Sequence, residues 1–374
     1  MKIGTIALMV LAGTAAVANA APTITALSSF GTNGWLAPGA NAQLLTDNNQ
    51  RGLAYNRATG NLILHSRTGG VNLRIIDGQT GADEGGLQGT AAVTGGTFAS
   101  NKVGVTDDGQ IYVSNLVTDA RSAAVKIYRW GSETDAGPST WFNSTLTLPT
   151  GGTAPRLGDS FDVTGSGNNV KAVMGHNGTI GYTVFSGGSG GGSAQSITSF
   201  SPTLGASKFR LGVTFGKTDA DVWGKVTSDS LYRSSYGAGS VGTYSSPGIA
   251  LTSAGECNMD FVTIGGRDYL AVLDALSGGG TAGGRVYIYD VTDPTTPVSL
   301  FAFGAWNTGA TSLAANGNAS GAVAWGDIDN INQTATLYAM NSNQGIQAFT
   351  FTVPAPSAAA VLGLAGLVAT RRRR

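Results

Sequence analysis

The residues able to do chemistry in this chain are few, and their spacing argues against most chemistries. His65 and His176 are the only histidines, lie in no His-x-x-x-His spacing, and have no cysteine beside them; a zinc site is not expected. Gly187-Gly188-Ser189-Gly190-Gly191 satisfies Gly-x-Ser-x-Gly. A nucleophile elbow needs a strand before the serine and a helix after it. This match instead lies inside Gly-Gly-Ser-Gly-Gly-Gly-Ser, by composition a flexible loop. Gly212 to Thr218, ending Gly216-Lys217-Thr218, is one residue short of a phosphate loop, and no helical pattern follows it.

Acids and tryptophans remain. Asp107-Asp108 reads as a hairpin turn, and Asp219 and Asp221 flank a strand. Asp327-Ile328-Asp329-Asn330 is the best calcium candidate, because alternate residues of an extended chain point the same way. It lacks the glycine and distal glutamate of a helix-loop-helix calcium loop. Calcium at Asp327 and Asp329 is the one cofactor the sequence suggests, and no catalytic set emerges. Exposed aromatic faces can pack on the C–H face of a sugar ring. Trp223 and Trp325 fall inside expected strands and read as packing residues. Trp35, Trp141 and Trp306 fall in loops or at strand edges and are the candidate ligand-binding surface.

The elements positioning these residues follow from composition and repetition. Charged residues make up only 12% of the chain and glycine is 57 of 374 residues, which suits short strands and tight turns rather than helices. Val103 to Asn115 is the clearest unit: alternating apolar residues on both sides of Asp108-Gly109, a hairpin turn signal, with Ala124 to Arg129 as a third strand. The same strand–turn–strand–loop–strand order recurs with first strands near residues 52, 103, 160, 210, 259 and 322. A period near 50 residues with several strands per unit is the mark of a β-propeller. Fourth strands are expected near Ser144–Leu148, Ser196–Ser201, Thr243–Leu251 and Val298–Phe303. The alternating segment Thr23–Phe30 is then free to close the last unit. The expected fold is all-β: a six-bladed β-propeller over residues 21–353, closed by an N-terminal strand. A parallel β-helix would repeat about every 20–25 residues, and a pair of β-sandwiches is the third choice.

Arg285 to Leu300 reads Arg-Val-Tyr-Ile-Tyr-Asp-Val-Thr-Asp-Pro-Thr-Thr-Pro-Val-Ser-Leu. It resembles the strand and turn of bacterial surface propellers that carry Tyr-Asp-Val-x-Asp-Pro-x-x-Pro. Asp290 would end the strand and Asp293-Pro294 would start the turn.

Both ends read as targeting segments. Lys2, the apolar run Ile3–Val17 and the small-x-small site Ala18-Asn19-Ala20 form a signal peptide over 1–20, cleaved between Ala20 and Ala21. At the other end, residues 354–374 hold Pro354 and Pro356, an apolar run from Ser357 to Thr370, and Arg371, Arg372, Arg373 and Arg374. The run is about 14 residues, short against the roughly 20 of a spanning helix. This tail resembles the PEP-CTERM signal of exosortase-sorted bacterial proteins, with Ala355 where the family name implies glutamate. The resemblance implies export by the Sec machinery, a short hydrophobic sorting helix inserted transiently in the inner membrane, and an exosortase-like sorting enzyme as a partner. It also implies residence in the cell envelope or outside the cell, with exopolysaccharide as a further partner. A permanent membrane anchor is the other reading of the tail.

Without Lys2 and the four terminal arginines, 17 basic residues face 22 acidic ones. A mildly acidic body does not attract nucleic acid. Cys257 is the only cysteine, so no internal disulfide forms and the packed core carries stability. The functional expectation is a non-catalytic exported envelope or matrix protein that binds polysaccharide, or another surface partner, through propeller loops. The alternatives are a secreted polysaccharide lyase or hydrolase with its site in the propeller funnel, and a coat protein that self-associates.

Overall fold

A computed structural model describes residues 21–150, 153–226, 228–237, 239, 241–246, 255–256, 258–275, 284–304 and 313–354. The expected signal peptide, residues 1–20, the tail from residue 355 onward, Trp306 and Cys257 lie outside them. The described chain is all-β apart from one 3-10 turn, Thr90–Ala92, and forms six sheets of four or five strands in a ring.

Blade 1 consists of Gln50–Asn56, Asn61–Ser66, Asn72–Asp77 and Asp83–Gly86. Blade 2 consists of Phe98–Val105, Ile111–Leu116, Val125–Trp130 and Ser139–Ser144. Asp162–Thr164, Val170–Gly175, Tyr182–Gly188 and Gly191–Ile197 make blade 3. Gly212–Phe215, Asp221–Lys225, Tyr232–Tyr236 and Val241–Ser245 make blade 4, with Ser199–Ser201 added in parallel outside the last of them. Blade 5 is Met259–Ile264, Arg267–Asp274, Arg285–Asp290 and Val298–Gly304. Blade 6 is Gly321–Asp329, Thr334–Asn341 and Ile346–Thr352, and its outer strand is Thr23–Ala26, with Thr23 opposite Thr352. The innermost strands touch in ring order, blade 1 to 2 and onward until blade 6 meets blade 1.

The second strand of each blade is buried on both faces, so its sequence is almost continuously apolar. Successive residues then serve opposite neighbours. Leu62 and Leu64 pack toward blade 6 while Ile63 packs toward blade 2. Tyr269, Ala271 and Leu273 pack toward blade 6, whereas Leu270 and Val272 pack toward blade 4. The core is accordingly six clusters, one between each pair of neighbouring blades. Trp223 and Trp325, both 1% exposed, are packing residues as expected.

Three outer-strand expectations shift: that of blade 4 is Val241–Ser245 where Thr243–Leu251 was expected, residues 247–251 lying outside the described ones. The outer strand of blade 2 is Ser139–Ser144, earlier than Ser144–Leu148; Leu146 and Leu148 are instead buried against blade 3. The outer strand of blade 3 is Gly191–Ile197, and part of the expected Ser196–Ser201 goes to blade 4. The Gly-Gly-Ser-Gly-Gly-Gly-Ser stretch is a β-hairpin rather than a flexible loop. Within it, the Trp141 ring lies against Gly192, where a Cβ would sit 2.9 Å from that ring. A strand, not a helix, follows Ser189, so the nucleophile elbow is absent.

Candidate functional site

The inner strands surround a channel with a cavity at each end, of about 330 and 360 Å³. The first opens where the inner strands begin. Its lining comes from equivalent places in successive blades: Arg51, Asn101, Asp159, Arg210, Glu256 and Asn318, joined by Arg67 and Phe98 at the rim and by Arg156.

Charge is concentrated at this mouth. Asp159 accepts two hydrogen bonds from Arg156 Nε, at 3.0 and 2.9 Å, one from Arg156 Nη2 at 2.6 Å, and one from Arg210 Nε at 2.9 Å. These guanidinium groups hold its carboxyl below the ordinary value although burial opposes them. Lys102 Nζ donates to Glu256 Oε2 at 2.5 Å and to the Arg51 carbonyl at 2.8 Å. Blades 2 and 5 face each other across the ring, so the Lys102–Glu256 pair crosses the bore. The same Glu256 oxygen accepts from Ser320 Oγ and the Gly321 N–H of blade 6, at 2.9 and 3.3 Å. A buried pair needs such added donors to offset the loss of hydration.

Arg51 and Arg67 are less satisfied. Arg51 is 9% exposed and donates through Nη2 to the Asn48 carbonyl at 3.1 Å, while its Nε is buried without a partner. Arg67 has both Nε and Nη1 buried without a partner, and its guanidinium lies 3.9 Å from the centroid of the Phe98 ring. Burial and the charge of Arg51 push the Arg67 guanidinium down to about 10. Beneath them His65 is fully buried, with Nε2 2.7 Å from Ser100 Oγ. Burial first, then the charges of Arg67, Lys102 and Arg51, push it down to about 3, so its imidazole is neutral. Five cations thus face two carboxylates among the described residues of this mouth.

The second cavity runs toward the far ends of the inner strands and contains two unusual acids. Asp162 of blade 3 accepts from the Phe215 N–H at 2.8 Å and Thr214 Oγ1 at 3.0 Å, both of blade 4, and from the Val163 N–H at 2.8 Å. Asp260 of blade 5 accepts from the Trp325 N–H of blade 6 at 2.6 Å and the Phe261 N–H at 2.8 Å. Burial pushes Asp162 up to about 6; burial and the Asp162 charge push Asp260 up to about 7. Each acid clasps the next blade's inner strand.

Of the candidates drawn from sequence, those among the described residues line neither cavity. Trp141 is 2% exposed; its ring forms a T-shaped pair with Tyr112 and its Nε1 donates to the Gly188 carbonyl at 2.8 Å, so it offers no sugar-stacking face. Trp35 is half-buried, pairs with Gln347 of blade 6 and donates through Nε1 to the Gln344 carbonyl at 3.0 Å. Asp329 caps its own turn, accepting from the Ile331 and Asn332 N–H groups and from Asn332 Nδ2. No third acid, histidine or cysteine joins Asp327 and Asp329 among the described residues. His176 is buried between the Ile180 carbonyl and Thr183. Arg51, Lys102, Asp159, Arg210 and Glu256 all lie within three residues of the expected first-strand starts, so comparing the repeats at those starts would have picked them out.

Solved structures share this fold at low identity. A protein of unknown function from Bacteroides thetaiotaomicron matches with a TM-score of 0.51 and 10% identity, over 88% of this chain and 76% of its own. A gluconolactonase from Xanthomonas campestris matches with a TM-score of 0.46 and 9% identity, over 89% and 90%. A protein of unknown function from Dyadobacter fermentans gives 0.46 and 12%, over 88% and 98%. No family model and no curated protein matches the sequence.

Proposed function

We propose that this β-propeller is an exported, non-catalytic protein of the cell envelope or extracellular matrix that holds an anionic partner, such as an acidic polysaccharide, at its cationic mouth. One observation carries the reading: cations outnumber carboxylates five to two at this mouth, within a body that is acidic as a whole. Such a local field draws anions despite the net charge, and the ring of inner strands holds its sources in place. Retention on immobilised anionic and neutral polysaccharides, measured across a salt series, tests it. Retention on the anionic polymer alone, falling steeply with salt, is expected. Equal retention on both, or none on either, sinks the reading.

Export and sorting rest on the two targeting segments. The intact mass of protein from its native envelope should match a chain starting at Ala21 and lacking the four arginines; a mass that keeps Arg371–Arg374 would indicate a permanent anchor.

Asp162 and Asp260 favour a second reading, a polysaccharide lyase or hydrolase. Acids that hold protons near neutral pH are suited to general acid work. Turnover of an acidic polysaccharide that disappears in both Asp162→Asn and Asp260→Asn would support it over binding alone.

A further inference from the structure

Resting on the binding reading and narrowing it, we propose that Arg51 and Arg67 form an oxyanion subsite for one acidic sugar unit, with Phe98 as its platform. Only these two arginines of the mouth have buried N–H donors without a partner. Arg156 and Arg210 are committed to Asp159, and Lys102 to Glu256. Asp47, the next acid behind Arg51, is occupied by Thr68, Asn49 and Gln50. Of the three uncompensated charges, two therefore belong to the Arg51–Arg67 pair, the third being spread over Arg156 and Arg210 on the one carboxylate of Asp159. A guanidinium presents a planar fork that matches a carboxylate or phosphate.

Stacking on Phe98 orients the Arg67 fork. The Phe98 ring is still 41% exposed, which leaves an apolar surface beside the cations. A sugar acid meets both features at once, placing its C–H face on the ring and its carboxylate on the arginines. The cavity of about 330 Å³ is at the small end of ligand sites, which usually span roughly 300–1,000 Å³, and so accepts a terminal unit rather than a length of polymer.

Calorimetric titration of the full chain with D-glucuronate, D-glucose and inorganic phosphate tests this. Glucuronate should bind, glucose should not, and Arg51→Gln and Arg67→Gln should each weaken glucuronate at least tenfold. Phe98→Ala should weaken glucuronate more than phosphate, because both lose the stacking that orients Arg67 and only the sugar also loses its platform. Arg67 lies at the rim, so its variant carries the test if Arg51→Gln fails to fold. Glucuronate binding that survives Arg67→Gln but falls in Arg156→Gln overturns this subsite and leaves the cationic mouth standing. Phosphate binding tighter than glucuronate, or Phe98→Ala affecting neither, overturns the sugar assignment. Failure of every anion, polymeric ones included, overturns the binding reading as well.

Discussion

Replacing Asp260 by asparagine should expose a pH dependence that the native protein hides. Asp260 is pushed up to about 7 and Asp162 to about 6, whereas both titrate near 3.8 in an unfolded chain. As pH falls from 7, the folded chain takes up protons that the unfolded chain still refuses, and the pair becomes stabilising. That contribution is lost as pH rises through the folded values. The histidines act with the opposite sign. His65 and His176 are pushed down from 6.5 to about 3 and about 4, so below 6.5 the unfolded chain gains protons that the folded chain refuses. Each pH unit over which one state alone holds a proton is worth about 1.4 kcal/mol. From pH 8 to pH 5 the two acids together add about 4 kcal/mol, nearly 3 of it from Asp260, and the two histidines remove about 4.

The native protein should therefore show nearly constant stability from pH 8 to pH 5, while Asp260→Asn should lose about 3 kcal/mol more than native over that interval. Urea unfolding at pH 5, 6.5 and 8 reads this as a difference in slope. A constant offset is also expected, because the new amide turns its NH2 toward the N–H of Phe261 or Trp325 and costs about 1–3 kcal/mol at every pH. Parallel slopes for native and variant would refute the reasoning. They would mean that the hydrogen bonds donated to the two carboxylates outweigh burial and mutual repulsion, so that both acids are ionised throughout.

Two further substitutions probe the frame of the site. Lys102→Met should destabilise by about 3–5 kcal/mol in urea unfolding, because it leaves Glu256 charged and unpaired across the bore; adding Glu256→Met should recover part of the loss. Gly192→Ala should lower stability by about 1–3 kcal/mol, read as a lower melting temperature, by driving a methyl group into the Trp141 ring; an unchanged melting point would mean the ring has room to move.

The fold was legible because its signals are local. Asp108-Gly109 turns where the alternating residues around it require, with Gly109 at φ +86°, and doubly buried strands such as Leu62–Leu64 and Tyr269–Leu273 read as apolar runs. The outer strands were less legible because half of each faces solvent and its pattern is weak: Ser139–Ser144 and Gly191–Ile197 carry little apolar periodicity. Trp141 misled for a related reason. Its place at a strand edge suggested exposure, yet Gly192 of the neighbouring blade leaves room for its ring, and nothing near Trp141 in sequence reports that space.

The cationic mouth was hidden for a deeper reason: its residues are neighbours only once the ring is assembled. Arg51, Lys102, Asp159, Arg210 and Glu256 each stand alone in sequence, and the chain's balanced charge conceals them. A propeller places the start of every inner strand around one bore, so one residue per repeat is enough to build a site without a motif. The repeat that signalled the fold is also the key to the site. Read around the start of each first strand, it brings three basic and two acidic residues together, whereas every catalytic pattern sought along the chain was a contiguous one. Asp162 and Asp260 obey the same rule farther along the inner strands, each reaching the next blade's backbone, so that the charge of the bore and the packing of the blades are set by the same parts of the chain.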